Sequence, residues 1–194
     1  MTQHTLHAFT DDALGTDDAT ALAERLQRGE ISATNATEAA ITRLQRVNPT
    51  LNGLVLNTYA EARERANNKH FEGFFAGVPS LIKDNIDLRG LPTGHGSAAV
   101  GSKPMKKTSV LAKQYLAQGF NLLGKTTLPA FGFTASTEMA HAPATRNPWH
   151  LNHSAGASSG GSAALVAAGA VPIPPGHHGR GPLPLPPPRP APVR

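Results

Sequence analysis

The chain has no cysteine, so disulfides, a thiolate nucleophile and Cys-based metal sites are excluded, which fits a reducing, cytoplasmic compartment. Charge is sparse as well: Asp, Glu, Lys and Arg make up 16% of the 194 residues, and the net charge is only +5. It is also unevenly spread, with Arg180, Arg189 and Arg194 near the C-terminus and Asp11, Asp12, Asp17 and Asp18 near the start. Aromatic residues reach 5%, and no basic stripe carries interleaved aromatics, so nucleic acid is not an expected partner. No apolar run approaches the roughly 20 residues that a spanning helix needs. The first residues lack the basic start and apolar core of a signal peptide, and the expectation is a soluble, intracellular protein without a membrane partner. What the chain does have is glycine (19) and proline (17), concentrated in particular stretches. Its length suits one domain, or part of one, with enough chain to bury a core.

Residues 1–15 read as an irregular leader. A first helix is expected from Asp17, capped by Asp17 or Asp18, with Leu22 and Leu26 on one face and Gly29 as its stop. Ser32 caps a second, whose stripe is Ala36, Ala40, Ile41 and Leu44 and which Asn48-Pro49 should end. Leu51 to Leu56 suits a short strand, and Tyr59 to Asn68 a third helix. At Gly77 the texture changes, with Gly77-Val78-Pro79 leading into a short buried strand that ends in Lys83-Asp84-Asn85. Residues 89–107 form a Gly/Pro/Ser loop of a length that is usually functional or mobile. Thr108 to Gln118 is an amphipathic helix closed by Gly119, and Phe120 to Gly124 is a strand feeding Lys125-Thr126-Thr127. Residues 128–157 read as irregular, with Ala144 to Trp149 as an ordered corner. A serine-glycine run then enters an alanine-rich helix, and a strand is expected near Val171. The alternation implies an α/β fold with a largely buried sheet.

Two stretches concentrate chemistry. In Ser158-Ser159-Gly160-Gly161-Ser162, small and hydroxyl residues meet a helix N-terminus, where backbone N–H groups lack intrahelical partners. That run could bind an anion, could present a serine to a carbonyl, or could be a plain Gly/Ser helix start. The phosphate-loop pattern is absent, because no lysine stands where that motif requires one. The second stretch is Leu81-Ile82-Lys83, where an apolar setting favours the neutral amine that can accept a proton. Lys125, also at a strand end, competes on the same reasoning.

Taken together and in order, Gly-Val-Pro-x-x-x-Lys-Asp-Asn (77–85), Leu-Gly-Lys-Thr (123–126), Arg-Asn-Pro-Trp (146–149) and Gly-Ala-Ser-Ser-Gly-Gly-Ser-Ala-Ala (156–164) resemble the amidase signature family. The resemblance runs from the first helices to about Ile173. It implies the N-terminal part of an α/β fold, a mixed sheet flanked by helices, and hydrolysis of a small-molecule linear or cyclic carboxamide without metal or cofactor. By the same resemblance Lys83 matches the catalytic lysine, and Ser158 the bridging serine that follows a cis peptide bond, here from Ala157. Ser159 and Ser162 would then shape the loop and cap the helix. Residues 144–161 resemble amidases of small or cyclic amides, such as the 6-aminohexanoate cyclic dimer hydrolases, more than the tRNA-dependent amidotransferase subunit.

The resemblance also places a nucleophilic serine at position 182, where this chain has Pro182, with oxyanion-hole glycines matching Gly179 and Gly181. Proline has neither hydroxyl nor N–H, so the chain as written is expected to be inactive. The departures from the family pattern at His177, His178, Arg180, Pro182 and Pro184 can each arise from one codon base becoming C. Residues 1–173 are therefore expected to be a partial domain and 174–194 a proline-rich tail, a degraded read of a gene continuing past Arg194; a true truncated product is the alternative. Pro184-Leu185-Pro186-Pro187-Pro188-Arg189 fits a PxxPxR ligand of an SH3 domain, a non-catalytic reading of the tail. Adjacent His177 and His178 diverge and have no carboxylate nearby in sequence, which argues against a metal.

Overall fold

The structure, a computed structural model, describes residues 5–68 and 70–176. Five helices and five short strands are present among them: α1 (Ala19–Gln27), α2 (Ala33–Leu51), β1 (Leu54–Asn57), α3 (Tyr59–Asn68), β2 (Pro79–Lys83), α4 (Val110–Leu116), β3 (Asn121–Thr126), β4 (Arg146–Asn147), β5 (His150–Ser154) and α5 (Gly160–Ala167). A 3-10 turn covers Ala130–Gly132. No helix among the described residues is long and apolar enough to cross a membrane. Gly179, Gly181, Pro182, His177-His178 and the PxxPxR run lie outside the described residues.

The helix ends follow the local chemistry. Asp18 caps α1 by accepting from the N–H groups of Thr20 and Ala21, and Ser32 and Asn35 form a reciprocal capping box at the start of α2. The second helix runs past the expected stop at Asn48-Pro49 by about one turn. It ends at Asn52, whose φ of 52° turns the chain out of the helix. Asn48 explains the clean exit, because its Oδ1 accepts from the N–H groups of both Gly53 (2.9 Å) and Leu54 (2.8 Å).

α2 lies at the centre of the core. Ala36, Ala40, Ile41, Leu44, Val47 and Leu51 are fully buried along it, and the helix packs on α3, α5 and β2. Each buried Leu or Ile of that stripe contributes about 1.5–3 kcal/mol over exposure. Arg43 is the polar exception, 3% exposed on the same helix. Its guanidinium holds both oxygens of Asp12 (2.6 and 2.8 Å) and donates to the carbonyls of Thr10, Gly15 and Gly169. One side chain thereby ties the leader, α2 and the end of α5 together.

The sheet is mixed, in the order β1-β3-β2, with β1 antiparallel and β2 parallel to the central β3. All residues of β2 and β3 are buried, the polar Ser80, Lys83, Asn121, Lys125 and Thr126 among them, so neither strand shows an in-out alternation. A parallel pair needs a crossover, and here it contains residues 84–120 with α4. Tyr115, Phe75 and Phe120 stack beside it, the Phe120 ring lying 4.4 Å from Tyr115 and 4.8 Å from Phe75.

Two expectations are corrected. The strand anticipated near Val171 is reduced to one parallel bridge between Ile173 and Ser80, reinforced by the Ser80 hydroxyl donating to the Ile173 carbonyl at 2.6 Å. The corner at 144–149 is half of a hairpin, β4 against β5, closed by Pro148-Trp149. Its polar, two-residue first strand offers no periodicity for a sequence reading to detect.

Candidate active site

Lys83 is the last residue of β2, and its register partner on β3 is Thr126. The side chain is 1% exposed. Burial favours the uncharged amine and pulls its pKa from 10.5 down to about 8. The ammonium nitrogen Nζ donates to Ser158 Oγ at 2.8 Å, so two residues 75 positions apart in sequence meet at the end of the sheet.

The segment leading into Ser158 is held by threonines. The Thr137 hydroxyl donates to the Gly156 carbonyl at 2.6 Å, while Thr145 exchanges backbone bonds with Thr137 and Ala155. Thr145 Oγ1 lies 2.7 Å from Thr127 Oγ1 and donates to the Asn52 carbonyl at 2.8 Å. Thr137 and Thr145 are fully buried and Thr127 nearly so. The peptide bond between Ala157 and Ser158 is cis. Beside it, a Cβ added to Gly132 would stand 3.7 Å from Ser158 Cβ, so the 130–132 turn closes on the serine. The ring of Phe131 in that turn stacks on His95 at 6.1 Å, and the Phe131 N–H donates to the His95 carbonyl at 2.8 Å.

Behind Ser158, α5 starts at Gly160 with Ser159 in the N-cap position. The anticipated caps are not made: Ser159 forms no side-chain cap bond, and Ser162 turns inward, its Oγ 2.8 Å from Thr126 Oγ1. The helix start is also less open than a Gly/Ser run implies, because the Gly161 N–H donates to the Thr127 carbonyl. Glycine is required here by close approach. A Cβ at Gly160 would overlap the Thr137 side chain, and one at Gly161 would overlap the Gly53 carbonyl and Thr127.

Lys125, the alternative lysine, sits inside β3 and not after it. It is fully buried, with Nζ paired to Asp84 Oδ1 at 2.7 Å and donating to the Pro92 carbonyl (2.7 Å) and Thr93 Oγ1 (3.0 Å). Its three donors are thus all taken by structural partners. Among the described residues no group of three or more His, Asp or Glu side chains could hold a metal ion.

A family model described as Amidase matches residues 35–181. The chain belongs to the amidase family. It is 46% identical over 178 residues to a putative amidase AmiC of Mycobacterium leprae, covering 92% of this chain and 38% of that protein. It is 40% identical over 172 residues to the 6-aminohexanoate-cyclic-dimer hydrolase of Paenarthrobacter ureafaciens, covering 84% and 34%. The solved structure of a 6-aminohexanoate cyclic dimer hydrolase complexed with substrate superposes with a TM-score of 0.77 at 38% identity, again over 84% of this chain and 34% of that one. This amidase-family chain thus spans a little over a third of the relatives' length, and its fold matches the N-terminal part of theirs.

Sequence reasoning found Lys83 and Ser158, which the fold brings into contact. It missed Asp84 as Lys125's partner and the three threonines beneath the serine loop. The only available signal was the recurrence of Thr127, Thr137 and Thr145 in a segment otherwise without periodicity.

Proposed function

We propose that this chain carries the proton-transfer half of an amide-hydrolysing site acting on small linear or cyclic carboxamides. The neutral Lys83 amine takes the proton of Ser158 while Ser158 takes that of a nucleophilic serine. The serine attacks the amide carbon, the proton held by Lys83 passes back through Ser158 to the nitrogen as the C–N bond breaks, and water, giving its proton to the same relay, cleaves the acyl-enzyme and frees the serine. What supports this reading is the 2.8 Å contact between Lys83 Nζ and Ser158 Oγ, made by a lysine whose burial brings its pKa to about 8. With Pro182 at the position of the family's nucleophile, we read the 194 residues as inactive alone.

Two assays test this. Residues 1–173 are grafted into the 6-aminohexanoate-cyclic-dimer hydrolase in place of its matching segment, and hydrolysis of the cyclic dimer is followed. The reading requires turnover that Lys83→Ala abolishes; a folded chimera that is inactive, or one indifferent to Lys83→Ala, refutes it. In parallel the 194-residue chain is assayed on linear and cyclic amides, and turnover there that depends on Lys83 would overturn the expected inactivity.

A further inference from the structure

Asp84 and Lys125 form a buried cluster that the proton-transfer reading does not use. Asp84 is 5% exposed and Lys125 fully buried. Desolvating two charges is expensive, and such a pair is weak evidence of stability for its own sake, because apolar residues could fill the space at equal or lower cost. The bonds around this pair all lead to one segment. Lys125 Nζ reaches Asp84 Oδ1, the Pro92 carbonyl and the Thr93 hydroxyl, which occupies its three protons. Asp84 Oδ2 accepts from the Gly94 N–H at 3.0 Å. The Asp84 carbonyl accepts from the His95 N–H at 3.0 Å, and its own N–H donates to Thr126 at 3.1 Å. Gly94 has no room for a side chain, since a Cβ would stand 2.8 Å from Asp84 Oδ2. Residues 92–95 are therefore fastened to the residue directly after Lys83, and His95 passes the constraint on to Phe131 and the turn beside Ser158.

We propose that Lys125 is a positioning residue for Lys83: paired with Asp84, it holds loop 92–95 against the end of β2 and so fixes where the Lys83 amine lies and how dry it is. The inference rests on the reading that Lys83 and Ser158 exchange a proton. Its test does not depend on turnover. Uniformly labelled full-length chain is titrated by NMR, following the Lys83 Cε–Hε signal, which is assigned by its loss in Lys83→Met. In Asp84→Asn/Lys125→Met the charges leave together, so no unpaired ion stays buried, but the tether to Pro92 and Thr93 is gone. The expected result is a wild-type circular dichroism spectrum with the Lys83 midpoint shifted upward from about 8 toward 10.5 as water reaches the amine. A folded double variant whose Lys83 curve superimposes on wild type overturns the assignment. If the double variant does not fold, Thr93→Val removes one Lys125 bond in a nearly isosteric way and decides the matter: a shift in the same direction supports the tether, and superimposable curves overturn it. Since protonation is read directly, failure of the tether is separable from failure of the amidase reading, which would show as chimera turnover that ignores Lys83.

Discussion

Ser162 Oγ stands 2.8 Å from Thr126 Oγ1, and Thr126 is the register partner of Lys83. The helix behind Ser158 and the strand that ends in Lys83 are thus referred to the same residue of β3. Their meeting is a property of the sheet.

Lys83 should destabilise the chain at neutral pH. Its folded pKa of about 8 lies below the unfolded 10.5, so between those values the unfolded state binds more protons and stability rises with pH. Lys83→Met should raise the urea midpoint at pH 7, and its advantage should shrink from pH 8 upward. A pH-independent difference between variant and wild type would count against this.

The same titration should govern chemistry. In the chimera, kcat/KM should climb with pH to a plateau with a midpoint near 8, since about a tenth of Lys83 is neutral one unit below its pKa. A profile flat from pH 6 to 9 contradicts Lys83 as the base.

Ser158→Ala in the chimera should lower kcat by about 10²–10⁴-fold with the circular dichroism spectrum unchanged, because a relay lost from a proton path costs on that order. Turnover within a few-fold of the parent would mean that the proton takes another route.

Gly161→Ala should destabilise by about 2 kcal/mol or more, as the added methyl meets backbone on one side and Thr127 on the other. The comparison is Gly90→Ala, where a Cβ meets nothing within 4 Å and the cost is only that of φ +88°. Equal losses in thermal midpoint for the two would show that close approach is not what position 161 demands.

Arg43→Met should cost about 3 kcal/mol, since three carbonyls and Asp12 lose a charged donor at once. Hydrogen exchange should quicken at Ala8, whose N–H is bonded to Ala168 beside that network. Unchanged protection there would show that the leader is held by its apolar contacts alone.

Much of the fold was legible because its helices obey local rules. Asp18 and Ser32 cap where small polar residues precede an apolar stripe, and α3 was bounded correctly from composition alone. The pair Lys83 and Ser158 was legible through a family resemblance, because nothing in the local sequence says that residues 75 apart share a hydrogen bond. What could not be read was long-range satisfaction of polar groups. Pro49 ended the helix on paper, yet Asn48 and Asn52 move the exit downstream. Lys125 looked like a base until Asp84 and Thr93 stood around it, and Ser162 like a cap until Thr126 faced it.

The parallel pairing of β2 with β3 bears on how such a site can diverge. Strand register is quantised: a slip of one residue turns Lys83 to the opposite face and removes the amine from the serine altogether, with no intermediate setting. An exposed stretch such as residues 101–104, which is bonded to neither residue, can by contrast vary by degrees. Divergence therefore has a continuous variable in such loops, while the Lys83–Ser158 contact behaves as a digital one, kept whole or lost.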